Sequence, residues 1–173
     1  MQVYILKESN SDSRVAASPD TVKKMLEWGL KVVIQDNAGL TSNFSNEDYV
    51  KSGATISNEI NDISKSDLIL KINKPNDDEI ALMNEGSILI ASLDPYNNNE
   101  TLNKLKDKGV ISFAMELMPR ITRAQSMDIL SSQSNLAGYK AVIDATYLFN
   151  KAMPMMMTAE GTIAPAKVMV FGA

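Results

Sequence analysis

Short apolar runs alternate with amphipathic segments along most of this chain, and few folds satisfy that pattern. Residues 3–6, 31–35, 67–72, 87–93 and 110–114 are short stretches rich in Val, Ile and Leu. Runs of that length and composition read as buried strands. Between them lie helical segments. Ser18-Pro19-Asp20 opens one, with Val22, Met25 and Leu26 on its inner face and Gly29 ending it. Further helices are expected over residues 46–53, 58–66, 77–83 and 99–108, with Gly86 and Gly109 closing the last two. Strands joined through helices by short connections run parallel, because each crossover returns the chain to the same end of the sheet. The expected fold class is therefore α/β: an open, mostly parallel sheet with helices on both faces, a flavodoxin- or Rossmann-like first domain. Trp28, the only tryptophan, is expected to pack at its helix end.

Two residue types are missing, and their absence narrows the chemistry. Among 173 residues there is no cysteine and no histidine. Disulfides, thiol nucleophiles, Ser-His-Asp triads, histidine bases and nearly every zinc site are excluded, so no metal is expected. The net charge is −4 with scattered basic residues, which is no footprint for nucleic acid. The apolar runs are too short to span a membrane, and the start carries no export signal, so no direct membrane insertion is expected.

Residues 116–149 divide into two halves with different physics. The second half, about residue 134 to 149, has helical spacing, with Leu136, Tyr139, Ile143 and Tyr147 on one ridge. Ser134 or Asn135 is the expected cap, Pro154 lies beyond the end, and the narrow polar stripe implies a largely covered helix. The first half, residues 119–133, crowds Arg120, Thr122, Arg123, Gln125, Ser126, Asp128 and Ser131 among too few apolar residues to make a face. A polar loop that dense beside a buried helix is a candidate site. Downstream, residues 153–158 and 162–165 read as extended segments around a turn, and residues 167–173 read as a strand ending in Gly172. An apolar strand followed by glycine is how a Rossmann fingerprint begins. The expected division is a first α/β domain over 1–133, a linking helix over 134–152, and the start of a truncated Rossmann domain over 153–173.

Two further places lie where open α/β sheets bind ligands, beyond the carboxyl ends of strands. The loop after the first strand carries Lys7, Glu8, Asp12 and Arg14, and Lys71 sits where the strand over 67–72 meets its loop. From charge alone the loop reads first as a solvated segment, and Lys71 has the plain reading of a surface lysine at a strand end.

The run P-R-I-T-R-A-Q-S-M-D-I-L-S-S-Q-S-N-L-A-G-Y over residues 119–139 resembles the NAD(H)-binding alpha subunits of proton-translocating NAD(P) transhydrogenases. These form a branch of the family that includes alanine dehydrogenase and saccharopine dehydrogenase. The opening K-E…R-V-A-x-S-P and the K-I-x-x-P after Leu70 are similar to the same family, with Asp12 where a glutamate is more usual. The resemblance implies a loop over the nicotinamide of NAD(H), facing a partner domain that carries NADP(H). Arg120, Gln125 and Asp128 match its catalytic and cofactor-binding positions, and Ser131 and Gly172 match further cofactor contacts. Arg14 and Lys71 match substrate-holding positions of the alanine-specific members. Also implied are a membrane-spanning subunit of the same complex, a homodimer, and a cytoplasmic, peripheral place at the inner face of the membrane. On this reading the chain is the front portion of a larger protein, inactive alone.

Alanine-type members use a histidine for their proton step, and this chain has none. Hydride passing between two nicotinamides gains or loses no proton at the reacting atoms, so arginine, glutamine, aspartate and serine suffice to position the rings. The alternatives are a fragment of an amino-acid dehydrogenase, supported by Arg14 and Lys71, and a catalytically inactive truncated binding module.

Overall fold

The computed structural model describes residues 1–9 and 11–171, which fall into two compact units, Met1–Met127 and Asp128–Ala173. In the first, β1 (Gln2–Ile5), α1 (Pro19–Glu27), β2 (Lys31–Gln35), α2 (Asn46–Lys51) and β3 (Thr55–Ser57) form one half. The other half is β4 (Leu68–Leu70), α3 (Asp77–Leu82), β5 (Ile88–Ala91), α4 (Asn99–Asp107) and β6 (Ile111–Ala114). The six strands pair in parallel in the order β3-β2-β1-β4-β5-β6. This is the doubly wound order, and its direction of winding reverses between β1 and β4.

Side-chain alternation along the central strand divides the core into two layers. Val3 and Ile5 of β1 join Val22, Val32, Ile34 and Tyr49 in the cluster on the α1 and α2 side. Tyr4 and Leu6 join Ile63, Ile69, Ile80, Leu89 and Leu105 in the cluster with α3 and α4. A strand buried on both faces has no polar alternation to preserve, which is why β1 reads as a continuous apolar run. The helix starts are set by side chains: Ser18 accepts from the Thr21 N–H, and Ser45 with Asp48 and Asn76 with Glu79 make reciprocal capping boxes.

Within the first unit, three features depart from the sequence expectations. The sheet has a strand the apolar runs did not disclose, β3. It is three residues long with pairing on one side only, so it needs no continuous apolar run. The expected helix over 58–66 is a 3-10 segment, Ile60–Lys65. Trp28 caps the C-terminus of α1 and is 73% exposed, because Val22, Met25 and Leu26 already supply that helix's packed face.

The second unit contains α5 (Ile129–Leu148) and an antiparallel hairpin of β7 (Met156–Thr158) and β8 (Gly161–Ile163). The extended-turn-extended reading of this region is realised as that hairpin. The helix begins earlier than its apolar ridge suggests, since Asp128 supplies the cap in place of Ser134 or Asn135. Its ridge, expected to be covered, stands exposed at Leu136, Tyr139, Ile143 and Tyr147. Apolar residues spread around the helix, rather than along one stripe, leave it no preferred inner face for a small hairpin to cover. Residues 167–171, read as a strand, pair with no strand among the described residues, and a lone strand has no ladder to hold it. Gly172 lies outside the described residues. No helix among the described residues is long and apolar enough to cross a membrane.

Tyr49 ties α2 to the loop before α1: its buried hydroxyl donates to the Ala17 carbonyl at 2.8 Å. A Cβ at Gly39 would fall 2.6 Å from its ring, so the close approach requires glycine there. Burial pushes the phenol pKa up to about 12. The unfolded value is about 10, so the neutral phenol's contribution is complete below that pH and is lost as pH rises toward the folded value. Tyr49→Phe is expected to cost about 1 kcal/mol at neutral pH and to soften the decline of stability above about pH 10. Urea unfolding of both proteins from neutral to alkaline pH measures this; parallel declines would contradict it.

Candidate functional site

The carboxyl ends of β1 and β4 meet where the winding reverses, and a polar network spans them. Glu8, buried, accepts from the Ile72 N–H at 2.6 Å and the Asn73 N–H at 3.2 Å. The Asn73 amide donates to Glu8 at 3.0 Å and to Asp12 at 2.8 Å. Asp12 in turn receives Arg14 through Nε at 2.9 Å and Nη2 at 2.7 Å. That two-pronged contact with Arg14 holds the Asp12 carboxyl well below the usual carboxylate range and raises Arg14 in return. A cleft of about 600 Å³ opens beside the network, lined by polar residues that include Ser11, Asn73, Lys74, Ser92 and Asn97.

Lys71 is buried rather than solvated. Its Nζ lies 2.6 Å from both oxygens of Glu79. Glu79 also accepts the Asn76 N–H at 2.8 Å, so one carboxylate caps α3 and neutralises the lysine at the end of β4. Both substrate-pocket candidates, Arg14 and Lys71, thus have a carboxylate of their own chain as partner. The sequence reading had not assigned roles to Glu8 and Glu79. The Asn76-x-x-Glu79 spacing ahead of Ile80 is a capping-box signature and was the available signal for the second.

The polar stretch is less irregular than expected. In the first unit, 3-10 turns run over Met115–Leu117 and Thr122–Met127, and buried Ala124 anchors the latter. Arg120 and Gln125 are exposed, and their side chains hydrogen-bond to no other described residue. The guanidinium's donors and the amide's donor-acceptor pair are the chemistry that suits a carboxamide and ribose hydroxyls. In the second unit the structure brings Asp128 and Ser131 together. Asp128 accepts the Leu130 and Ser131 N–H groups at 3.0 and 3.1 Å, and the Ser131 hydroxyl at 2.6 Å. Asp128 therefore has a structural task, capping α5, that its place in the motif did not reveal. Among the described residues no cluster of three or more His, Cys, Asp or Glu is placed to hold a metal.

A doubly wound domain with polar groups at its strand exits, followed by a long helix that the motif stretch opens, defines a class of protein. The chain belongs to the family described as alanine dehydrogenase/PNT, N-terminal domain, whose model matches residues 4–137. It is 45% identical to a protein of Rhodospirillum rubrum named as a portion of NAD(P) transhydrogenase subunit alpha, over 99% of this chain and 47% of that protein. It is similar to the crystal structure of transhydrogenase from Sinorhizobium meliloti, with a TM-score of 0.92 and 48% identity over 96% of this chain and 50% of that one. Identity to alanine dehydrogenase 1 of Staphylococcus aureus is 30%, over 85% of this chain and 39% of that protein. The likeness suggested by residues 119–139 thus extends along nearly the whole chain and is greater on the transhydrogenase side. The chain spans about half the length of the transhydrogenase relatives it matches in Rhodospirillum rubrum and Rickettsia prowazekii.

The Lys71–Glu79 pair has a testable asymmetry. Lys71→Met leaves a buried carboxylate without its cation and is expected to destabilise the fold by about 3–5 kcal/mol, while Lys71→Met with Glu79→Leu loses much less. A double-mutant cycle by urea unfolding measures the coupling; additive losses would contradict the pairing.

Proposed function

We propose that this chain is the front portion of the NAD(H)-binding component of a transhydrogenase that passes hydride between NADH and NADP+, coupled to proton translocation by membrane partners. The observation that carries the proposal is the exposed, uncommitted pair Arg120 and Gln125 within the stretch that resembles transhydrogenase alpha subunits. Bound NADH supplies the hydride, at C4 of its nicotinamide. Arg120 donates to the carboxamide or ribose oxygens and fixes the ring's rotation. Gln125, able to donate and accept, reaches toward the nucleotide carried by the partner. Asp128 holds the Ser131 hydroxyl oriented, leaving its oxygen lone pairs for a cofactor N–H or O–H donor. No group here needs to move a proton, which agrees with a chain lacking histidine.

The partners in this reading are an NADP(H)-binding domain, a membrane-spanning subunit and a second copy of the chain, at the cytoplasmic face of a membrane. The relatives' designation as portions of a subunit supports it. Residues 1–173 alone would be inactive, since contacts on the nicotinamide side cannot offset the entropy of fixing a whole dinucleotide.

In the full-length protein with its NADP(H)-binding partner, Arg120→Ala or Gln125→Ala is expected to slow hydride transfer about a hundredfold or more, because small misplacements of reacting atoms cost that much. NADH affinity should change only a few-fold. Asp128→Asn, which keeps an acceptor for the helix cap, should act more weakly. Stopped-flow transfer and calorimetric titration measure both quantities, and a parental rate in either alanine variant would remove the loop from the mechanism.

A further inference from the structure

Resting on that reading, we propose that Glu116 is a positioning residue: its carboxylate ties the exits of β5 and β6 together and so sets where the segment bearing Arg120 and Gln125 leaves the sheet. The two strands are parallel neighbours with Ala91 opposite Ala114, so they end side by side. Just past that last pair, the chain after β5 has backbone donors beyond the end of the ladder. One oxygen of Glu116, in the turn after β6, accepts both: the Leu93 N–H at 2.8 Å and the Asp94 N–H beside it.

Each side of this tie is itself fixed. The Leu93 side chain is in the core. Asp94 adopts the left-handed conformation with φ 46°, and Asn97 and Asn98 donate to its carboxylate, closing the loop on itself. On the other side, the 3-10 turn Met115–Leu117, closed by the Met118 N–H on the Met115 carbonyl, and the fixed backbone angle of Pro119 limit the freedom of the link from Glu116 to Arg120. The second carboxylate oxygen of Glu116 is buried with no hydrogen-bond partner among the described residues. The tie therefore needs one acceptor oxygen, not two.

That last point separates positioning from general stability. In the full-length protein with its NADP(H)-binding partner, Glu116→Ala is expected to lower the single-turnover hydride rate about tenfold or more, with the NADH dissociation constant changed less than about threefold. Glu116→Gln keeps an acceptor for both N–H groups and should retain most of the parental rate. Glu116→Asp, one methylene shorter, should fall between, and it keeps the test open if the alanine variant does not fold. Val22→Ala in α1, a core change in the other packed layer from Leu93, serves as the control: it should lower thermal stability and leave the rate of the folded enzyme unchanged. A parental rate in Glu116→Ala or Glu116→Asp, a glutamine variant no faster than alanine, or equal slowing by Val22→Ala would overturn the proposal. Arg120→Ala assayed alongside separates the two readings: slow transfer there with a parental Glu116→Ala rate rejects only the role of Glu116.

Discussion

Glu8 carries a buried negative charge to the point where the sheet's winding reverses, and it is satisfied there by the backbone of the opposite half. Its donors belong to Ile72 and Asn73, just past β4, while Glu8 itself follows β1. Hydrogen bonds to a charged group contribute about 1.5–3 kcal/mol each, and an unsatisfied buried group costs a comparable amount. Glu8 therefore adds charge-assisted bonds to the β1–β4 ladder that already joins the two halves. Asn73, Asp12 and Arg14 extend the same network outward, so the loop after β1 is ordered by the loop after β4.

The same device recurs at the neighbouring strand ends. Glu79 closes on Lys71 beyond β4, and Glu116 closes on the backbone beyond β5. Glu8 and Glu116 each hold the loop that leaves a neighbouring strand, while Glu79 closes on a lysine within its own β4–β5 connection. Labour is divided along the chain. Arg14, Lys71 and Asp128 are engaged by the fold, whereas Arg120 and Gln125 are left free to act on something else.

Much of this was legible in the sequence where periodicity carries the information. The central strands, α1 and the terminal hairpin came from apolar runs, Pro19, Gly29 and turn residues. What escaped had no periodic trace. A short edge strand such as Thr55–Ser57 is defined by its partner β2, not by its own composition. The start of α5 was set by Asp128, a residue already read as a cofactor contact, so its capping role was overlooked. Glu8 and Glu116 were invisible because their partners are backbone N–H groups brought near only by the fold, and for Glu79 the capping-box spacing pointed to the helix start but not to Lys71. Trp28 misled for the opposite reason, since a large apolar residue need not be buried once its helix face is filled.

The function we propose requires direct hydride passage between two nicotinamides, with Arg120 and Gln125 at the reacting end. The most direct measurement follows deuterium from C4 of NADH, in the full-length protein joined to its NADP(H)-binding partner, in ordinary water. The expected result is label recovered undiluted at C4 of the product NADPH. Label lost to water, or reduction that proceeds only with a 2-oxo acid and ammonium as acceptors, would contradict the account.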